Sequence, residues 1–76
     1  MNIIGPNIKV LREKSGLTQE QLAEKCSILN WRLSRGTLAK IESKCRRITD
    51  KEVIILSKAL GVNIETLFNQ NIFKQQ

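Results

Sequence analysis

The chain of 76 residues is poor in aromatic side chains, which make up 4% of it, and it contains no histidine. Its cysteines are Cys26 and Cys45, which lie far apart in the sequence. Two distant cysteines without a histidine do not complete a tetrahedral zinc site. They are also too few for the disulfide framework of a small secreted protein. We therefore expect no metal ion and no disulfide scaffold.

Long apolar segments are missing as well. No run approaches the roughly 18 apolar residues of a membrane span, and Gly5 and Pro6 interrupt the short apolar start of the chain. No signal-peptide pattern is visible. We expect a cytoplasmic protein that does not bind membranes, because the apolar helix faces are needed for the core.

Patterns typical of catalysis are not found. The sequence has no glycine-rich phosphate loop and no nucleophile beside a recognisable base. We expect no enzyme activity, no cofactor and no small-molecule substrate.

Positive charge is in excess, with 13 Lys and Arg against 7 Asp and Glu and a formal net charge of +6. The isoelectric point of about 9.8 is typical of a nucleic-acid-binding domain, although a basic surface can also serve solubility alone. The length predicts a single domain over residues 1–76 with a modest core. We place that core at about residues 3–68 and expect residues 69–76 to form a loose tail.

Start and stop signals divide the chain into five predicted helices. The first begins at Pro6 with Gly5 as its cap and ends at Gly16. The second begins at Thr18, which forms a capping box with Gln21.

The second helix is predicted to be long. Its apolar residues recur at spacings of four, three and four, at Leu22, Cys26, Leu29 and Leu33, and we place the end of the helix at about Leu29. Asn30 then ends it, because asparagine tolerates the left-handed conformation. This leaves a turn over 30–33, close to the roughly three to four residues that separate two tandem helices in a helix-turn-helix. A disordered or wing-like insertion over 27–33 is the alternative.

Three further helices are predicted. Ser34 caps the third, whose outer face is cationic. Thr49 and Glu52 form a second capping box for an apolar fourth helix that ends at Gly61. Asn63 caps a short fifth helix. The expected fold is an all-α bundle.

Several segments together resemble the Xre family, the lambda-repressor-like and Cro-like helix-turn-helix domains, over about residues 3–68. The segments are Ile4-Gly5, Ile8, Leu11-Arg12, Gly16-Leu17-Thr18-Gln19-Glu20-Gln21-Leu22-Ala23, Thr37-Leu38-Ala39-Lys40-Ile41-Glu42, Ala59-Leu60-Gly61-Val62 and Leu67-Phe68. The resemblance implies a five-helix fold and a homodimer that binds double-stranded DNA through the major groove. It also implies transcriptional control, which we expect to be repression.

The resemblance and the charge pattern together give the expected DNA contacts. Positions matching those that face base edges are Arg35, Gly36, Thr37 and Lys40. The expected backbone contacts are Thr18, Gln19, Ser34, Lys44, Arg46 and Arg47, with Lys9 and Lys14 as further candidates. Each lysine can instead be a solvated surface charge.

Arg12 and Glu42 match a family pair that forms an internal ion pair, for which we expect a structural role. Two departures from the family are notable. The connection that contains Trp31 is longer than usual, and Trp31 is expected to pack on the core rather than contact a partner. Gly36 stands where a side chain normally reads DNA, which allows close approach of the backbone or indicates that few bases are read.

Apolar residues near the C-terminal end are the candidates for a dimer interface, with completion of the core as the alternative. They are Ile64, Phe68, Ile72 and Phe73, together with Ile54 or Ile55.

A rival hypothesis is a protein-interaction module that keeps the fold without reading DNA. Cys26 is expected to lie in the core. Cys45 lies among basic residues, and a redox role of its thiol is the alternative to a plain surface position.

Overall fold

The computed structural model describes residues 3–69, and within that range it contains five helices and no strand. The predicted all-α fold is confirmed. The tail from residue 70 onward, with Ile72 and Phe73, lies outside the described residues. The helices are α1 (Gly5–Lys14), α2 (Gln19–Ile28), α3 (Arg35–Glu42), α4 (Asp50–Leu60) and α5 (Ile64–Leu67).

Capping side chains start three of these helices as predicted. Thr18 Oγ1 accepts from the Gln21 backbone N–H at 3.1 Å, and Gln21 Oε1 accepts from the Thr18 backbone N–H at 2.8 Å. Thr49 and Glu52 form the equivalent box at α4. Ser34 Oγ accepts from the Thr37 backbone N–H at 3.1 Å. These bonds satisfy N–H groups that a helix start leaves without intrahelical partners.

Two helix starts differ from the prediction. Ile4, not Gly5, is the N-cap of α1, because the Ile4 carbonyl already accepts from the Ile8 N–H at 2.9 Å. Asn63 occupies the N-cap of α5, but its side chain makes no cap hydrogen bond. The single turn of α5 is instead closed by the Thr66 N–H, which donates to the Asn63 carbonyl at 3.0 Å.

The connection between α2 and α3 is a compact turn, so the alternative of a wing-like insertion is wrong. Asn30 takes the left-handed conformation with φ 69° directly after α2, as its place in the sequence predicted. The Trp31 N–H donates to the Cys26 carbonyl at 3.0 Å and closes the end of the helix. Trp31 is half-buried and packs against the core, which confirms the expected packing role.

The core draws on every helix. Cys26 is fully buried, and burial raises the pKa of its thiol to about 11, so the protonated thiol acts as a small apolar side chain.

Asn7 is a buried polar residue whose role the sequence did not indicate. Its Nδ2 donates to the Leu67 carbonyl at 2.8 Å and to the Asn69 carbonyl at 3.0 Å, which fixes α1 against the end of α5. The largest fully buried side chains are Ile8, Leu22, Leu38, Ile41, Leu56 and Leu67.

Among the described residues, no helix is long and apolar enough to cross a membrane.

Candidate nucleic-acid interface

One side of α3 is fixed to the core and the other faces solvent. Leu38 and Ile41 are fully buried, whereas Arg35, Gly36 and Lys40 are exposed. This arrangement follows from helical periodicity, which places residues three and four positions apart on one face. The exposed side of α3 therefore presents cationic side chains on a rigid helix.

Thr37 and Gly36 occupy different environments on that helix. Thr37 is half-buried, and its Oγ1 accepts from the Ser34 hydroxyl at 2.9 Å, which leaves the Thr37 hydroxyl proton free to donate. A Cβ added at Gly36 would have no heavy atom within 4 Å. The fold itself does not require glycine at Gly36, so the bare backbone there is available to an outside molecule that approaches closely.

A buried polar network joins α3 to the two preceding helices. Arg12 Nε lies 2.7 Å from Glu42 Oε2, with side chains only 9% and 3% exposed, and Arg12 Nη2 donates to Glu42 Oε1 at 3.2 Å. Arg12 Nη1 donates to the Leu17 carbonyl at 2.7 Å. Gln19 Nε2 also donates to Glu42 Oε1, at 3.0 Å. The ion pair expected from the resemblance is thus present and joins α1 to the end of α3, and the Gln19–Glu42 hydrogen bond fixes the start of α2 against the same end.

The start of α2 opens on a concavity of about 390 Å³ that also reaches α3. We call it the α2 concavity; its lining residues are Arg12, Thr18, Gln19, Glu20 and Arg35. The N-terminus of a helix carries partial positive charge and N–H groups that point outward. With Arg35 among its lining residues, the concavity favours an anionic group such as a DNA phosphate, although the Glu20 carboxylate limits that preference.

Arg46 is engaged within the protein, which the sequence did not indicate. Its Nη1 and Nη2 lie 2.9 Å from Glu52 Oε1 and Oε2, and Nη1 also donates to the Arg47 carbonyl at 2.9 Å. The hydrogen bonds from Arg46 lower the pKa of Glu52 and more than offset the effect of burial. The paired guanidinium braces the loop between α3 and α4, so a direct phosphate contact by Arg46 would have to compete with Glu52.

The same loop exposes two other cations. Lys44 has φ 68°, and the turn it forms is closed by the Cys45 N–H, which donates to the Lys40 carbonyl at 2.8 Å. Lys44, Cys45 and Arg47 are all exposed. Two of the expected backbone contacts, Lys44 and Arg47, therefore lie just beyond the end of α3 with accessible charges.

Apolar side chains remain exposed on α4 and at the two ends of α5. Ile64 is 44% and Phe68 is 42% exposed, and Ile54 is exposed to a similar extent. These side chains do not finish the core, in contrast to Ile55, which is half-buried against it. We call Ile54, Ile64 and Phe68 the Phe68 surface.

A helix-turn-helix family model matches residues 8–67. The chain belongs to the helix-turn-helix family. It is also 32% identical over 74 residues to the control protein C.SmaI of Serratia marcescens, with 97% of this chain and 82% of that protein covered. No solved structure shows a significant match. These similarities confirm the Xre-type resemblance and show that the protein is a DNA-binding regulator of transcription.

Proposed function

We propose that the protein acts as a homodimer on a nearly two-fold symmetric DNA site and represses transcription there. The observation that carries the proposal is the exposed cationic face of α3 beside the α2 concavity, since both can meet one duplex at once. In a helix-turn-helix dimer the two recognition helices lie about 34 Å apart, one turn of DNA. We propose repression in the form of a bound dimer that keeps other proteins off the same stretch of DNA.

Base edges are read by α3 in this proposal. The Arg35 guanidinium matches the O6 and N7 acceptors of guanine, and the Lys40 ammonium can reach the same type of edge. The Thr37 hydroxyl is a further donor. The bare backbone at Gly36 allows close approach to a thymine methyl group or a phosphate.

Phosphates are held around α3 in the same arrangement. The backbone N–H groups of the first turn of α2 and the fixed Gln19 amide bind one phosphate in the α2 concavity. Lys44 and Arg47 bind further along the strand. Thr18 and Ser34 hold the helix starts through their caps. The Thr18 hydroxyl is a further donor to phosphate, whereas the Ser34 hydroxyl already donates to Thr37 and acts by fixing the start of α3, and Arg46 acts through the position of its loop.

Dimerisation is assigned to the Phe68 surface, because exposed apolar residues on neighbouring helices lose unfavourable contact with water when a second copy covers them. Ile72 and Phe73 belong to the same hypothesis but lie outside the described residues. We further propose that the protein works by binding rather than catalysis, in the cytoplasm, where it meets DNA.

The decisive experiment is selection from a pool of randomised DNA duplexes at about physiological salt, followed by sequencing of the retained DNA. Enrichment of inverted half-sites supports the dimeric reader. Retention without enrichment contradicts base reading by Arg35 and Lys40. Failure to retain DNA contradicts the whole proposal and favours the rival protein-interaction module.

A further inference from the structure

A second concave surface lies where the last turn of α2 meets the last turn of α4. It measures about 220 Å³ and is lined by Lys25, Ile28, Leu29, Lys58 and Ala59; we call it the Ile28 surface. Ile28 is 80% exposed, more than any other large apolar residue within 3–69. Cations in the last turn of a helix interact favourably with the helix dipole, so the fold accounts for the two lysines, but it does not account for Ile28.

The Ile28 surface lies apart from the proposed DNA contacts. Ile28 is nine residues beyond Gln19 on the same helix, which places it about 14 Å further along the helix axis. Ile28 therefore lies at the other end of α2 from the α2 concavity.

It also lies apart from the Phe68 surface. Ile54 and Ala59 are five positions apart on α4, and five residues correspond to a rotation of roughly 140° around the helix axis. The two residues face different directions, so a second copy seated on Ile54 leaves Ala59 and Ile28 uncovered.

Charge identifies the occupant. Lys25 and Lys58 are both exposed, and neither forms an ion pair with any carboxylate within residues 3–69. A second copy placed on this surface by two-fold symmetry would bring lysine against lysine in a chain of net charge +6, which is unfavourable. A DNA backbone would satisfy the lysines but would leave Ile28 in contact with phosphate and water.

We propose that the Ile28 surface docks an acidic protein segment that places one large apolar side chain against Ile28 and Leu29. Its carboxylates pair with Lys25 and Lys58 on either side. Such a contact joins a small apolar centre to a charged rim, the usual anatomy of a protein interface.

The first test is selection of peptides from a displayed library in which acidic residues flank a randomised central segment. Wild-type protein and Ile28→Ser are used side by side, and retained DNA binding shows that the variant is folded. We expect wild type to enrich sequences with a leucine, isoleucine or phenylalanine between carboxylates, and Ile28→Ser not to. No enrichment on wild type, or equal enrichment on both proteins, would overturn the proposal.

The second test maps one selected peptide by NMR titration of isotope-labelled protein. Shift changes should concentrate at residues 25–29 and 58–59. Lys25→Glu and Lys58→Glu should each weaken binding about tenfold, while Lys51→Glu, the same charge change two turns earlier on α4, should change it less than about twofold. Equal effects of the three variants would show general electrostatic attraction and contradict specific binding at the Ile28 surface.

Self-association is the competing occupant and has its own readout. Sedimentation of Ile28→Ser should give the same monomer–dimer equilibrium as wild type. A weakened dimer would assign this surface to a second copy and overturn the proposal.

Discussion

Substitution of Arg35 distinguishes recognition of the base sequence from non-specific attraction to phosphate. Arg35→Ala should weaken binding to the best selected site by about 1–3 kcal/mol, the range for one good bidentate base contact, and should change binding to random duplexes far less. Competition titrations at fixed salt measure both affinities. Lys51→Ala, which removes an exposed cation from α4, is the matched control. An equal loss on both DNAs would reduce Arg35 to a phosphate contact in the α2 concavity.

Arg12, in contrast, has a structural role, because it stabilises the fold. Arg12→Met should destabilise the protein by about 3–5 kcal/mol, since Glu42 is left as a buried charge without its partner and the Leu17 carbonyl loses its donor. Urea unfolding measures the loss. The double variant Arg12→Met with Glu42→Leu should recover much of it, because no unpaired charge remains. A loss below about 1 kcal/mol in the single variant would contradict this account.

Single residues also show the limit of reading the sequence. Arg12 and Glu42 are 30 positions apart, so no local spacing connects them, and their pairing was expected only through the family resemblance. Arg46 was expected at DNA because it is a cation after α3. The structure pairs it with Glu52, which depends on how the loop folds back. A count of charges does not show which ones are already neutralised.

Helices are the level at which the sequence is most informative. Capping boxes, Asn30 and Gly61 are local signals, since each depends on a few neighbouring backbone groups, and the structure bears them out. The left-handed turn at Lys44 has no such signal, because lysine is not a typical residue for that conformation. Lys44 follows Ser43, the C-cap of α3, and the turn there is closed by the backbone bond from the Cys45 N–H to the Lys40 carbonyl.

The loop between α3 and α4 supplies a pH prediction. The pKa of Glu52 is lowered in the folded state, chiefly by the hydrogen bonds from Arg46. Its stabilisation is therefore fully present above the unfolded pKa of about 4.3 and is lost as pH falls through the lower folded value. Glu52→Gln should lower stability by up to about 1 kcal/mol at pH 7, and the difference from wild type should shrink in strongly acidic solution.

Urea unfolding of both proteins between pH 7 and pH 2 measures that difference. Glu24→Gln, at an exposed position on α2, controls for the general loss of negative charge. A difference between wild type and Glu52→Gln that stays constant across this range would contradict the assigned ion pair.

Charge acts over the whole molecule through the salt dependence of DNA binding. If about four to six phosphates are neutralised, log K should fall with log salt at a slope of about −4 to −5. Arg47→Ala should make the slope shallower by about one, as expected for the loss of one phosphate contact. Arg46→Ala should weaken binding with less change in slope, because its guanidinium is neutralised by Glu52. Equal slope changes would place Arg46 directly on phosphate.

Assembly is the last property that belongs to the whole molecule. Phe68→Ser should raise the dimer dissociation constant at least about tenfold, because burial of a large apolar side chain is worth about 1.5–3 kcal/mol and a two-fold interface removes it twice. Sedimentation measures this directly. Ile28→Ser, which exposes a serine on a different surface, should leave the dimer unchanged.

The DNA readout separates weakened assembly from a damaged reading helix. At low protein concentration Phe68→Ser should bind the full site poorly, because the unfavourable free energy of bringing two monomers together then reduces the free energy of DNA binding. At concentrations above the new dissociation constant its affinity should return to that of wild type, because α3 and the α2 concavity are untouched. Binding that stays weak at every concentration would show that Phe68 supports the monomer fold and would remove it from the dimer surface. Recovery would mean that dimerisation and base reading are carried by separate helices.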